Sequence, residues 1–160
     1  MQPISEASIT LFTGKNRFLS NFAAFPVVFE GVEYPTAEHA YVAAKTLDPQ
    51  IRAWVRQIDT PGNAKYRGKS IALRPDWEDV RNDIMLVILR SKFTRNPHAR
   101  DQLIATGDAE LIEGNAWHDN YWGRCRCKAC AGVVEAHNVL GRLLMAVRDE
   151  LRRATSATDA

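Results

Sequence analysis

The stretch VEYPTAEHAYVAAK, residues 32–45, is typical of a strand that turns into a helix. Val32 and Tyr34 alternate with a polar residue, and Pro35 ends the strand. Thr36 is a good N-cap because its hydroxyl can accept a hydrogen bond from an orphan backbone amide of the first helical turn. The sequence therefore predicts that a helix begins directly after Thr36.

Two charged residues of this predicted helix, Glu38 and Lys45, fall on the same side of it. With 3.6 residues per turn they share that side with Tyr41 and Val42, and they lie two turns, or about 10 Å, apart. That span is too long for the usual ion pair between residues i and i+4, so something small could sit between the two groups. Glu38 also lies near the positive end of the helix dipole, which favours its ionised form. An ordinary solvated helix face is the alternative interpretation.

The other elements are predicted from hydrophobic periodicity and turn residues. Residues 27–29 and 32–34 form a predicted hairpin around Glu30-Gly31. Helices are predicted over residues 50–58, 75–95, 98–105 and 137–153, short strands over 9–12 and 110–113, a basic loop at 64–69 and an irregular segment at 115–132. The pattern predicts an α+β single domain over residues 1–153, mostly helical with a small β-sheet, and a flexible tail at 154–160.

The bulk composition is that of an ordinary globular protein. The chain has 160 residues, of which 46% are hydrophobic, enough for one normal core. A net charge of +2, from 21 basic and 19 acidic residues, is too balanced for nucleic-acid binding by electrostatics alone. The N-terminus has no signal-like pattern and no apolar run is long enough to span a bilayer, so we expect a soluble, cytoplasmic protein without a membrane partner.

The three cysteines, Cys125, Cys127 and Cys130, lie within six residues of sequence. An odd number at this spacing does not describe a disulfide framework, and it fits a reducing compartment. With His118 or His137 as a fourth ligand, the thiols could hold a structural zinc ion. A nucleophilic Cys–His pair is disfavoured because the chain offers no evident oxyanion partner.

Asp119 and a group of basic side chains are further candidates for chemistry. Asp119 lies among tryptophans, where burial could tune a carboxylate for acid–base work, but a turn residue bonded to its own backbone is an equal alternative. Arg67, Lys69 and Arg74 surround Gly68 and could hold a phosphate. A solvated basic loop is the other interpretation, because no Walker or dinucleotide glycine pattern accompanies them.

Five aromatic side chains could stack on a base or a flavin-like ring. They are Phe22, Tyr34, Tyr41, Trp77 and Trp122. Trp77 also lies on the apolar side of its predicted helix, as a core residue would.

Five motifs, in order along the chain, resemble those of the NADAR family. They are FLSNF at residues 18–22, YPTAEH at 34–39 with Lys45, LRPDW at 73–77, Trp122-Gly123, and NVLGRLLM at 138–145. The resemblance extends from about Ile9 to Leu151, and members are single-domain proteins similar to the riboflavin-intermediate N-glycosidases. Relatives usually have a glycine-rich approach to the Asn-x-Leu-Gly element, whereas this chain has CAGVVEAH at residues 130–137.

The resemblance implies hydrolysis of an N-glycosidic bond between ribose phosphate, or ADP-ribose, and an amino group of a base. Riboflavin-pathway intermediates and ADP-ribosylated guanine in nucleic acid are the family's substrate classes. The family's catalytic glutamate falls on Glu38, its helix lysine on Lys45 and the aspartate of its Trp-Gly loop on Asp119. The resemblance also implies that three motif residues, Asn21, Gly123 and Asn138, bind the ligand. They join the aromatic and basic candidates named above in the expected ligand site. No cofactor is required for the reaction.

The residue types suit this chemistry on general grounds. A sugar joined through an exocyclic amine can open to an imine at C1, which a neutral lysine amine can capture while Glu38 moves the protons. Lys45 must then be partly desolvated, since at its reference pKa the amine is protonated. In the rival route, Glu38 or Asp119 activates water and no covalent bond to the enzyme forms. The alternative function is a non-catalytic module that binds ADP-ribose or a related nucleotide.

Overall fold

The computed structural model of the protein describes residues 8–132 and 134–159. Its strands are β1 (Val27–Phe29), β2 (Val32–Tyr34), β3 (Gly114–Asn115) and β4 (Arg124–Cys125), and a 3-10 helix covers Gly14–Leu19. The α-helices are α1 (Ala37–Ala44), α2 (Pro49–Arg56), α3 (Pro61–Gly68), α4 (Trp77–Arg95), α5 (Pro97–Ala105) and α6 (Val139–Thr158). The predicted fold class, α+β and mostly helical with a small β-sheet, is confirmed.

The chain divides into two compact units, which are described separately. One unit is residues 21–99, with the hairpin and helices α1 to α4; the other combines the residues up to Ser20 with those from Arg100 onward. None of the helices in the described part of the chain combines the length and the apolar character that crossing a bilayer requires.

The hairpin of the 21–99 unit has the predicted strands and turn. β1 and β2 pair antiparallel. Glu30 and Gly31 take positive φ angles of 48° and 80°, as a two-residue hairpin turn with right-handed strand twist requires. The Val28 amide donates to the Ser91 hydroxyl at 2.8 Å and so joins β1 to α4. The hairpin thereby sets where the chain enters α1.

Helix α1 begins as predicted and is the centre of this unit. The Thr36 hydroxyl accepts a hydrogen bond from the His39 amide at 3.2 Å, which confirms the N-cap. The His39 ring is held at both nitrogens, by the Thr36 hydroxyl at 2.8 Å and the Ile58 carbonyl at 2.9 Å. Except for half-buried Tyr41, every residue of the helix is buried. A solvated face at Glu38 is therefore excluded.

Residues 64–68 lie in helix α3, so the prediction of a basic loop there is wrong. Thr60 is the N-cap, accepting from the Asn63 amide at 3.1 Å, and Pro61 occupies the first turn. A proline is tolerated at that position because the first amides of a helix have no intrahelical partner. Gly68 then lets α3 approach α1 closely, since a Cβ there would lie 2.7 Å from Cγ1 of Val42.

The second unit has less sheet than predicted. The expected strands at 9–12 and 110–113 are reduced to one parallel bridge between Ile9 and Leu111. Regular pairing follows at residues 114–115, where β3 runs parallel to β4. The glycine at position 114 lets β3 lie close to the backbone at Thr10, because a Cβ at 114 would collide with the Thr10 carbonyl oxygen.

Helix α6 extends beyond its predicted end. It runs from Val139 to Thr158, so the end expected at Arg153 is wrong and the tail predicted at 154–160 is helical in its first residues. The hydroxyls of Thr155 and Thr158 donate to carbonyls one turn back, those of Leu151 and Ala154, each at 3.0 Å. These bonds satisfy the hydroxyl groups of the two threonines within the helix.

Candidate active site

Glu38 lies in the first turn of α1 and is only 8% exposed. Its backbone amide donates to the Asn21 carbonyl at 3.1 Å, which fixes residue 21 beside the start of the helix. Asn21 is 9% exposed, and its side-chain nitrogen donates to the Met85 sulfur at 3.6 Å. Its Oδ1 atom is buried without a hydrogen-bond partner among the described residues. A buried acceptor of this kind favours a ligand that brings a donor.

Lys45 lies at the other end of α1, as the C-cap, and is half-buried. Burial lowers the pKa of its ammonium below the ordinary 10.5; the charge of Glu38 opposes this shift and that of Lys65 adds to it. The Lys45 Nζ atom lies 5.6 Å from the centroid of the Tyr41 ring. Glu38 is therefore near enough to Lys45 for its charge to influence the pKa of the ammonium.

Aromatic rings border these charges. The rings of Tyr41 and Trp77 lie 5.2 Å apart at 51°. Trp77 is 4% exposed and packs in the core, so it supports Tyr41 and offers little ring surface of its own. The Phe22 ring lies 5.8 Å from the Lys65 ammonium. Tyr34, in contrast, is buried in the core of the hairpin, which leaves no face of its ring for stacking.

The basic candidates separate in the structure. The Arg74 amide donates to the Lys45 carbonyl at 2.7 Å, and its guanidinium forms a two-fold ion pair with Asp76, at 2.6 and 3.0 Å. Arg67 lines a cavity of about 310 Å³ together with Trp54, Gln57, Ile58 and Asp59.

Lys65 is the basic residue that the sequence analysis missed. It is exposed, and its charge adds to the lowering of the Lys45 pKa, which places it near Lys45. Recognising Thr60-Pro61 as a helix start would have shown that Lys65 and Arg67 point to different sides.

Asp119 lies in the other unit, where its contacts are those of a turn. Its Oδ1 atom accepts from the backbone amides of Tyr121 and Trp122, at 3.0 and 2.8 Å. The backbone of Asp119 is held by the Asn115 side chain. That side chain donates to the Asp119 carbonyl at 2.7 Å and accepts from the Asp119 amide at 3.2 Å. These bonds match the alternative of a turn residue, and a catalytic role for Asp119 stays a prediction.

Three other expected ligand residues of this unit have structural contacts. A Cβ at Gly123 would collide with the carbonyl and carboxylate oxygens of Glu113. The Asn138 side chain accepts from the Glu113 amide at 3.0 Å and donates to the Leu111 carbonyl at 2.9 Å. The Trp122 ring meets the Tyr121 ring edge-on at 5.1 Å. Packing and backbone support therefore account for Gly123 and Asn138 without a ligand.

The comparisons with known proteins agree on one family. The family model described as the NADAR domain matches residues 10–152, a range that runs through both units. The N-glycosidase YbiA of Escherichia coli (strain K12) is 38% identical over 134 residues, which cover 82% of this chain and 79% of that protein. An N-glycosidase of Nostoc punctiforme is 33% identical over 144 residues, covering 87% of this chain and 88% of that protein.

Two further matches concern a longer protein and a solved structure. A riboflavin biosynthesis protein of Vibrio vulnificus is 35% identical over 137 residues, which cover 84% of this chain but only 35% of that protein. The NMR structure of Escherichia coli YbiA superimposes with a TM-score of 0.79 at 34% identity, covering 95% of this chain and 89% of that one.

Proposed function

Because this chain belongs to the NADAR family, as its motifs predicted, we propose that it is an N-glycosidase with Glu38 and Lys45 as its catalytic pair. The relatives from Escherichia coli and Nostoc punctiforme carry the name N-glycosidase. The observation that carries the assignment of residues is the state of the pair: a buried carboxylate and a half-buried amine, each within the electrostatic reach of the other. A lysine whose pKa is lowered by burial, with a carboxylate within electrostatic reach, is typical of catalytic sites.

The lowered pKa of Lys45 matters because only the neutral amine is a nucleophile. The substrate is a sugar whose C1 carries the amino nitrogen of a base. Ring opening turns this bond into a C1 imine, and Nζ of Lys45 adds to C1 while the nitrogen of the base takes up a proton. The base leaves as a free amine, and a new imine joins C1 to Nζ. Water then adds to C1, and the sugar and the neutral lysine are released.

We assign the proton transfers of these steps to Glu38, which is buried and within electrostatic reach of Lys45. Its carboxylate carries protons from Nζ to the departing nitrogen as C1 changes partner, and then from the attacking water back to Nζ, so it ends each turnover as it began. Asn21, whose backbone carbonyl accepts from the Glu38 amide, also has a buried Oδ1 atom that is suited to accept a hydrogen bond from a sugar hydroxyl or from the amine of the base. The Tyr41 ring, whose centroid lies 5.6 Å from Nζ of Lys45, is the surface on which the base would stack.

The substrate class is a ribosylated amine that carries phosphate. The name of the Vibrio vulnificus relative favours a phosphoribosyl-aminopyrimidine of riboflavin synthesis as the first compound to test. ADP-ribosylated guanine, free or in nucleic acid, has the same type of bond and is the second. Lys65, beside Lys45 and Phe22, supplies positive charge for the phosphate. A cytoplasmic location stays a prediction.

The test is release of sugar from each substrate, followed by mass spectrometry, with and without sodium borohydride during turnover. We expect released sugar from at least one substrate, and in borohydride an adduct on the peptide that contains Lys45. Lys45→Met, an apolar side chain of similar length, should form no adduct. An active enzyme without an adduct would favour direct attack by water. A protein that binds both compounds but releases sugar from neither is a nucleotide-binding module.

A further inference from the structure

A compact cluster of thiols and one imidazole lies outside the catalytic pair, in the second unit. The cluster contains His118, Cys125, Cys127 and Cys130. One potential ligand atom of each residue lies within 4.8 Å of those of the other three. The Nδ1 atom of His118 lies 3.3 Å from Sγ of Cys130 and 3.5 Å from Sγ of Cys127. All three cysteines are free thiols.

These separations fit a tetrahedral metal ion. Zinc binds thiolate sulfur at about 2.3 Å and imidazole nitrogen at about 2.0 Å, so the ligand atoms around it lie about 3.5–3.8 Å apart. Three sulfurs and one nitrogen complete the four positions, which is the arrangement of structural rather than catalytic zinc. A disulfide would use two of the thiols and leave the third and the imidazole without a role.

The backbone is arranged to present these four groups. A turn brings Cys127 and Cys130 together, because the Cys127 carbonyl accepts from the amides of Cys130 and Ala131 at 3.1 and 2.9 Å. The Cys125 amide donates to the Asn120 side chain at 2.9 Å, which places the first cysteine. His118 takes a positive φ of 66°, a conformation that a non-glycine residue adopts at some cost.

The sequence left two histidines open as the fourth ligand, and the structure brings only one of them to the sulfurs. His137 is exposed, and its ring lies 6.2 Å from that of Tyr121. It is not part of the cluster formed by the described residues.

We propose that the three cysteines and Nδ1 of His118 bind one structural zinc ion. The ion ties the segment that carries Asp119 and Gly123 to the turn at 127–131. In relatives, by the resemblance above, glycines occupy the approach to α6. The zinc site would add a cross-link to a segment that short β3–β4 pairing, turns and backbone hydrogen bonds to the start of α6 also hold.

The test is metal analysis of the whole protein, produced without a metal-affinity tag in zinc-supplemented medium and purified with a thiol reductant. We expect about one zinc per chain, lost in Cys130→Ser and in His118→Ala. His137→Ala is the matched control and should keep its zinc. Removal of zinc by a chelator should lower the melting temperature of the wild type but not of the two ligand variants.

Cobalt keeps the proposal testable if a ligand variant fails to fold. Cobalt added to zinc-depleted wild-type protein should give the thiolate charge-transfer and visible absorption of a tetrahedral site. Folded, reduced protein that holds neither zinc nor cobalt would overturn the proposal, as would a disulfide between any two of the cysteines in freshly purified protein. Loss of zinc in His137→Ala but not in His118→Ala would overturn the ligand assignment. None of these readouts depends on glycosidase activity.

Discussion

Glu38 and Asp119 are two carboxylates that the sequence predicted as catalytic, and their surroundings differ. Glu38 is carried by the regular helix α1 and is buried within electrostatic reach of Lys45. Asp119 lies in an irregular segment, where one of its oxygens accepts two backbone amides. In a helix the backbone satisfies itself, whereas in a loop side chains satisfy the backbone.

The first prediction separates the two carboxylates by turnover. Glu38→Gln should lower kcat more than about 100-fold, because the proton transfer it supplies is lost. Asp119→Asn should lower kcat less than about tenfold, since an amide oxygen can still accept the two backbone amides. Steady-state assays with the substrate identified above measure both. A 100-fold loss in Asp119→Asn with unchanged melting temperature would instead support the predicted catalytic role.

The second prediction compares two glycines at close contacts, Gly68 in the unit of Glu38 and Gly123 in the unit of Asp119. Gly68→Ala should lower the free energy of unfolding by about 1–3 kcal/mol, because the new methyl meets the buried Val42 side chain. Gly123→Ala should cost at least as much, since its methyl meets backbone oxygen of Glu113. Gly62→Ala, with only the Thr60 hydroxyl at 4.0 Å, is the control and should be neutral or stabilising. Urea unfolding measures all three; equal stability of Gly68→Ala and Gly62→Ala would refute the packing argument.

The third prediction concerns the turn around Asp119. Asp119→Ala removes the acceptor of two amides and should lower the free energy of unfolding by about 1–2 kcal/mol, as the loss of a helix cap does. Asp119→Asn should stay within about 0.5 kcal/mol of the wild type. If both variants are equally destabilised, the charge rather than the hydrogen bonding holds the turn.

The fourth prediction is a shift of the pH profile. Activity through a neutral lysine rises as pH increases through the pKa of Lys45, and burial places this rise below the ordinary lysine value. Lys65→Gln removes a positive neighbour that lowers this pKa, so the rise should move to higher pH. Lys69→Gln is the matched control, because it removes the same charge at a residue whose ammonium lies over the Tyr66 ring. It should leave the pH at which activity rises unchanged. Profiles of kcat/KM measure the shift.

Local patterns in the sequence predicted the parts of the molecule that depend on neighbouring residues. The hairpin turn, the Thr36 cap and the two-turn spacing of Glu38 and Lys45 all follow from contacts within a few residues. The prediction of a loop at residues 64–69 overlooks the same signals at Thr60-Pro61, and for that reason it leaves out Lys65 and includes Arg67 in the ligand site.

Lys92 shows what a local pattern cannot give. As a basic residue in the last turn of α4 it suits the helix dipole, yet it is fully buried, with its ammonium 5.0 Å from the Phe93 ring and 5.8 Å from the Phe25 ring. Burial lowers its pKa to about 7. Phe25 lies far away in sequence, so no window around Lys92 contains the cause.

By itself the sequence determined the family, the fold class, the start of α1 and the two residues of the proposed catalytic pair, because caps, turns and helical spacing are set by short-range geometry. The tertiary structure decided which polar groups are buried. It brought His118 rather than His137 to the three thiols, Lys65 rather than Arg67 towards Lys45, and Tyr34 into the core. Burial and charge depend on which elements pack together, and residues distant in the chain decide that packing.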